Sequence, residues 1–306
     1  MTTKPPPRTR WIALPAIAAV VLISGCTATK TEADVSASLA SMQAAVPEAL
    51  SLGESGRQEN LSSRRLAPVY WSGRIDGEDR LYREFVQADD QGDPITTSLH
   101  YMMANEPFDP DFTSVWNAET SIGTSISDDN TITVDVGSGA FAADVSPEQA
   151  ELAVQQLVYT ATAAAWTSGL LSEGTAPGVR LLIDGRTGQR AFDHVDLERR
   201  LVRDARLRAP VWIIDPQYGA NQTADSITLN GVAEEYPGGL HWKVAEAEDP
   251  EQVVAAGTFD GDQLDGEAFS TSIPLGPGIY EVTVWGIGSD GAEHGTDTKH
   301  FTISEG

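Results

Sequence analysis

Apolar and polar positions alternate strictly along Thr131-Ile132-Thr133-Val134-Asp135-Val136, so that Ile132, Val134 and Val136 face one way. A period of two predicts a half-buried strand. The period then changes to that of a helix: Ala150, Ala153, Val154, Leu157, Val158 and Ala161 fall on one face. Ser146-Pro147-Glu148-Gln149 marks where this helix starts. Ser146 caps, Pro147 takes the first helical position, and Gln149 reaches back to the cap. Asp144 and Glu148 add negative charge at the positive helix end. Upstream, residues 69–71 and 81–86 read as strands split by a turn over 73–79, and Asp93-Pro94 opens a helix carrying Leu99, Met102 and Met103. Residues 179–185 read as a strand and turn. Strands and helices mixed in this order predict an α+β domain over residues 67–198.

The pattern differs from residue 210 to 306. No stretch has helical period, and short strand-like runs lie at 211–214, 226–229, 240–244, 253–259, 268–273, 278–285 and 299–304. Seven short strands in this length predict an all-β, immunoglobulin-like sandwich. Its sharpest strand points Tyr280, Val282 and Val284 inward, with Tyr280 placed to bond a nearby backbone group as a corner. Apolar packing, Trp242 included, holds the two sheets without cysteines. Trp71, Trp116, Trp166, Trp212, Trp242 and Trp285 are spread over both domains. Most belong to cores, and one or two are expected to stay exposed as partner anchors.

Between the two lies a linker at 199–209 containing Arg199, Arg200, Arg203, Arg206 and Arg208. Two readings stand. The arginines pair with acidic faces of the flanking domains, or they form a docking strip for an anionic partner. The segment stands out because the chain of 306 residues has 45 acids against 20 bases, a formal charge of −25. That balance excludes a nucleic-acid binder, which needs a basic footprint. It also disfavours adsorption to anionic lipid by charge alone.

The N-terminus supplies an address. Lys4, Arg8 and Arg10 precede a short apolar run over residues 11–23. The run is shorter than the roughly 20 residues of a spanning helix and reads as a secretion signal over 1–25. It ends Leu22-Ile23-Ser24-Gly25-Cys26, which resembles the lipobox of bacterial lipoproteins. The resemblance implies a lipidated Cys26 as the first mature residue, anchored at the outer face of the cytoplasmic membrane. Cys26 is the one cysteine of the chain, which excludes internal disulfides and multi-cysteine metal sites. Residues 26–66 are rich in Ser, Ala and Glu and read as a flexible tether. About 40 flexible residues span roughly 35 Å.

Two families are resembled. Gly123-Thr124-Ser125, the 131–136 strand, Ser146-Pro147-Glu148-Gln149-Ala150, Gln156-Leu157-Val158-Tyr159-Thr160 and the 179–186 segment resemble the GerMN domain, first named in spore-germination proteins. Residues 226–233 and the Gly278-Ile279-Tyr280-Glu281-Val282 strand resemble the accompanying Gmad2 immunoglobulin-like domain. The resemblance implies envelope binding or assembly modules, and it carries no catalytic motif, cofactor or metal.

A search for chemistry agrees with that implication. There is no Gly-x-Ser-x-Gly elbow, no phosphate-cradling Gly-x-x-x-x-Gly-Lys motif and no His-Glu-x-x-His. His100, His194, His241, His294 and His300 read as ordinary surface or core histidines. Acidic loops occur at 89–93, 109–111 and 260–267. The last departs from a calcium loop, because Leu264 holds a ligand position and Asp265 replaces the required glycine; it reads as a solvated turn or a weak calcium site. The expectation is a non-enzymatic, lipid-anchored adaptor or assembly protein that binds another envelope protein. The alternative is an extracytoplasmic receptor for a wall fragment or small solute.

Overall fold

Asp76 and Gly77 both adopt positive φ, at 49° and 83°. They make a two-residue hairpin turn whose twist matches that of the flanking strands. The turn expected over 73–79 therefore shrinks to two residues, and the strands β1 (Ala67–Ile75) and β2 (Glu78–Val86) run right up to it, pairing Ile75 with Glu78. In the computed structural model, which describes residues 66–305, these strands and the short β3 (Phe112–Thr113) form a sheet in the order β2-β1-β3. A second sheet, β4-β5-β6, joins β4 (Ile122–Ile126), β5 (Thr131–Val136) and β6 (Gly178–Ile183). β4 pairs antiparallel and β6 parallel to β5.

Two helices pack against these sheets. α1 (Pro94–Ala104) is capped by Asp93 and buries Leu99, Met102 and Met103. α2 (Pro147–Thr167) carries the reciprocal capping box between Ser146 and Gln149 and crosses from β5 to β6. Ala150, Ala153, Val154, Leu157, Val158 and Ala161 all lie in the core, as their spacing predicts. The helix is buried on more than that face. Leu152, Tyr159 and Ala163 pack with Tyr70 and Leu81 in a second cluster. Gln156 and Thr160, one turn apart, are also buried. Thr160 Oγ1 accepts from Tyr70 N at 3.1 Å, and Gln156 Nε2 donates to Tyr70 O at 2.8 Å. β3 pairs only with Ser72 and Gly73, and the helix supplies both backbone hydrogen bonds of Tyr70 on that edge.

The C-terminal part is β-rich. One sheet has five strands in the order β10-β17-β16-β12-β13. These are β10 (Ala220–Gln222), β12 (Leu240–Glu246), β13 (Asp249–Thr258), β16 (Gly278–Ile287) and β17 (Glu293–Ile303). The other has four in the order β14-β15-β11-β9, comprising β9 (Val211–Asp215), β11 (Ser226–Ala233), β14 (Leu264–Asp265) and β15 (Ala268–Pro274). Val211, Ile227, Leu229, Val244, Val282, Val284 and Phe301 share one core between them. Tyr280 donates its hydroxyl to Gly276 O at 3.0 Å, the corner its position predicts. Strands β10 and β14 are additions to the seven expected. β17 starts at Glu293, well before the expected residue 299.

That earlier start matters, because β17 carries a buried charge. Lys299 is 4% exposed and donates to Asp109 Oδ2 at 2.5 Å and to Asp297 Oδ1 at 3.2 Å. Its ammonium also sits 4.3 Å from the centre of the Phe112 ring. Asp109, in an acidic loop of the sequence, is 1% exposed. Burial disfavours the Lys299 cation, but Asp297 and Asp109 outweigh it, and its pKa is raised. Replacing Lys299→Ala leaves both carboxylates buried without their cation. The variant should lose about 3–5 kcal/mol of unfolding free energy. Urea unfolding of the full chain measures this, and a loss below about 1 kcal/mol would refute a stabilising role for the cluster.

Candidate functional site

The most exposed large apolar side chain among the described residues is Trp166, in the last turn of α2, at 66%. Leu170, four residues on, is 41% exposed. The helix stops here because Gly169 takes φ 67°, and Leu170 N and Gly169 N fold back onto Ala165 O and Trp166 O at 2.9 and 3.0 Å. Thr167 and Ser168 then form one wall of a cleft of about 490 Å³. The start of β1 at Ala67 and Pro68, and the start of α1 at Asp93, Pro94 and Ser98, form other walls. Asp89 and Asp90 lie along it, whereas Asp93 is committed to the fold: its Oδ1 accepts from Ile95 N, Thr96 N and Thr124 Oγ1 at 2.9–3.0 Å. The other tryptophans divide as expected. Trp71, Trp116 and Trp212 are buried, and Trp242 and Trp285 are half-buried.

The arginines of the 199–209 segment have varied surroundings. Arg199 is exposed. Arg200 donates to Thr131 Oγ1 at 3.0 Å and to Ala176 O at 2.5 Å. Arg203 donates to Thr162 Oγ1 at 2.7 Å and Tyr159 O at 3.1 Å, and stacks 4.7 Å from the Tyr159 ring centre. Arg206 forms a fork with Asp204 at 3.0 and 2.6 Å. Arg208 forms a second fork with Glu267 at 2.7 and 2.8 Å, which holds that carboxyl below the usual range. Four of the five guanidinium groups are thus engaged by the protein itself.

Other candidates stay apart. Asp260 and Gln263 cap a single turn, and Glu267 faces Arg208, so the 260–267 loop has structural partners for several of its polar groups. His294 lies 3.2 Å from Asp290, and His300 lies 3.1 Å from Glu281. Among the described residues no group of three or more His, Cys, Asp or Glu is placed to hold a metal ion, and no helix is long and apolar enough to cross a membrane. Cys26, the 1–25 signal and all but the last residue of the 26–66 tether lie outside the described residues. Sequence reasoning missed Asp215, at the end of β9. Burial alone pushes its carboxyl up to about 6. An Asp closing the apolar run Val211-Trp212-Ile213-Ile214 was the available signal.

Residues 68–189 match the Germane family, described as sporulation and spore germination. The match begins at the β1–β2 hairpin, upstream of the Gly123–Arg186 motifs that suggested GerMN. Among solved structures, the first GerMN domain of the sporulation protein GerM from Bacillus subtilis is 16% identical, with a TM-score of 0.34. That alignment covers 45% of this chain and 96% of that one. The tandem GerMN domains of GerM are 14% identical over 69% of this chain and 60% of theirs, with a TM-score of 0.37. CopC from Methylosinus trichosporium OB3b is 17% identical over 31% of this chain and 94% of its own, with a TM-score of 0.25. No curated protein matches the chain.

Two outcomes follow for the GerMN-matched part and the strand beyond it. Arg203→Ala should lower stability by about 1–2 kcal/mol, because it strips buried Thr162 and the Tyr159 carbonyl of a charged donor. Arg199→Ala should change it by under about 0.5 kcal/mol. Equal thermal midpoints for the two variants would count against this division of roles. For Asp215, the folded protein holds its proton more tightly than the unfolded chain does. Its contribution is therefore favourable below pH 4 and is lost as pH rises towards 6. Asp215→Asn should be more stable than wild type by about 1–2 kcal/mol at pH 7 and equal to it near pH 3.5. A pH-independent difference would exclude titration of Asp215 as the cause.

Proposed function

We propose that the chain is a non-enzymatic, lipid-anchored extracytoplasmic adaptor of a bacterial cell envelope. In this reading Cys26 carries the lipid at the outer face of the cytoplasmic membrane. The GerMN-matched part binds another envelope protein. Residues 210–306, a Gmad2-like immunoglobulin-like sandwich, serve as spacer or second contact. The observation that carries the reading is Trp166. An indole left 66% exposed beside Leu170, in a helix otherwise deeply packed, has the character of an interface anchor. The Germane match supports an accessory role, since that resemblance brings no catalytic residues with it.

The cleft next to Thr167 and Ser168 favours a second reading, a receptor for a wall fragment or small solute. Its volume of about 490 Å³ falls in the range of small-ligand sites. One experiment separates the two. A photo-crosslinking amino acid placed at Leu170, in the tagged full-length protein in cells, should capture one reproducible membrane-protein partner, and Trp166→Ala should reduce that capture by about tenfold or more. Cys26→Ser should move the protein from the membrane to the soluble fraction. Retention of glycan or a small molecule, with no protein captured, would replace the adaptor reading with the receptor reading.

A further inference from the structure

We propose that the outer edge of β13, over residues 255–258, is a docking site for an extended basic segment of a protein partner, added as a sixth strand to the five-stranded sheet. This assigns a contact surface to the adaptor reading and rests on it.

β13 ends the five-stranded sheet, with β12 on its one paired side. At ten residues it is far longer than the end strands β10, of three, and β14, of two. β9, which ends the four-stranded sheet, is five residues long and has buried and half-buried positions only. Exposed edges are normally blunted by proline, charge or a bulge. Those devices end at Val254: Asp249, Pro250 and Glu251, a register shift between the pairs Glu246–Asp249 and Ala245–Val253, and a bulge at Val254 between Ala245–Val253 and Val244–Ala255. Beyond that bulge, Ala255-Ala256-Gly257-Thr258 has none of them. Val253 and Val254 are 48% and 42% exposed.

The ladder sets which backbone groups are free. Phe259 N donates to Leu240 O at 3.0 Å, and the pairs Trp242–Gly257 and Val244–Ala255 follow in the same phase. The alternation of an antiparallel pair then turns the N–H and C=O of Ala256 and Thr258 outward. A partner strand would find there the donors and acceptors it needs.

Aromatic surface and charge identify the partner's chemistry. Gly257 lacks a side chain, and the Trp242 indole occupies the space a Cβ would take, within 2.8–3.0 Å of that position. The half-buried indole, which also packs against the core between the sheets, therefore lies over the edge strand, and its uncovered part offers a platform for a cation from the added strand. Glu246, Glu248, Asp249 and Glu251 flank one end of the open stretch, and Asp260 and Asp262 the other, against a single base, Lys243, between residues 243 and 263. A second copy of this chain would bring like charges together at both ends, so the charge pattern selects a basic partner.

The test uses the full-length protein and a nine-residue peptide alternating Lys and Val, followed by fluorescence anisotropy and by hydrogen exchange. The peptide should bind, and it should slow exchange at Ala256 and Thr258. Ala256→Pro removes one outward amide at an exposed position and should weaken binding by about tenfold or more. A Glu–Val peptide, and a Lys–Val peptide N-methylated along its bonding edge, should bind more weakly by a similar factor. Equal binding of the N-methylated peptide, of the proline variant, or no binding at all would overturn the proposal. Should the proline variant lose its folded circular-dichroism spectrum, the exchange pattern of the wild type decides alone. Trp166→Ala should leave this binding unchanged, so failure at β13 is separable from failure of the adaptor reading at Trp166.

Discussion

One ammonium group, that of Lys299, ties the C-terminal sheets to the GerMN-matched part. Removing a charge from water costs several kcal/mol, so this lysine is tolerable only where carboxylates meet it. Asp109 comes from the loop after α1 and Asp297 from β17 itself. The arrangement extends on both sides. Glu84, buried on β2, accepts from Phe108 N at 3.0 Å and Asp109 N at 2.9 Å, which holds the loop that delivers Asp109. Asp297 Oδ2 accepts from Ile213 N at 2.6 Å, which fixes β9. An apolar interface tolerates sliding by an ångström. This chain of carboxylates, amides and one cation does not, because any slip leaves a buried charge unmatched.

Strand β9 uses the same constraint to serve two cores. Val211 and Ile213 face the sheets of the C-terminal part, while Trp212, between them, is buried in the core shared with α1 and α2. The Trp212 ring also lies 5.8 Å from the guanidinium carbons of both Arg83 and Arg208. A period of two thus divides a single strand between two hydrophobic clusters. Removing Trp212 from its core would expose a large apolar area, so the strand's alternation and the Lys299 cluster reinforce one another.

Local physics made much of this legible in advance. The β5 alternation, the α2 capping box, the Tyr280 corner and the seven main C-terminal strands each follow from a period or a cap that operates within a few residues. The features that escaped depend on distant partners. Asp109 sits in the acidic loop at 109–111, where nothing local marks it as buried, and its partner lies 190 positions away. Gln156 and Thr160 lie off the apolar face that the helical period picks out, but they bond both backbone groups of Tyr70, beside which β3 is too short to reach. Pairing of the Arg-rich segment within the fold was one of its two readings, and Arg208 meets Glu267 accordingly, but nothing local marks Arg203 for a hydroxyl, a carbonyl and a tyrosine ring. The exposure of Trp166 follows the same rule. Its spacing places it at the end of α2, but only the packed neighbours decide how much of it stays exposed.

Charge resolves an apparent conflict in the surface. An open edge such as residues 255–258 invites pairing between identical chains, and most proteins suppress this with local devices. Here the formal charge of −25 acts over the whole surface, and the acids flanking β13 concentrate it at the edge itself. Two copies approaching edge to edge repel, whereas a basic segment is drawn in and finds backbone groups and an indole waiting. The same acidity that excludes nucleic acid thereby permits an open stretch beyond Pro250 and the Val254 bulge, since electrostatic repulsion extends the protection those devices give the start of the strand.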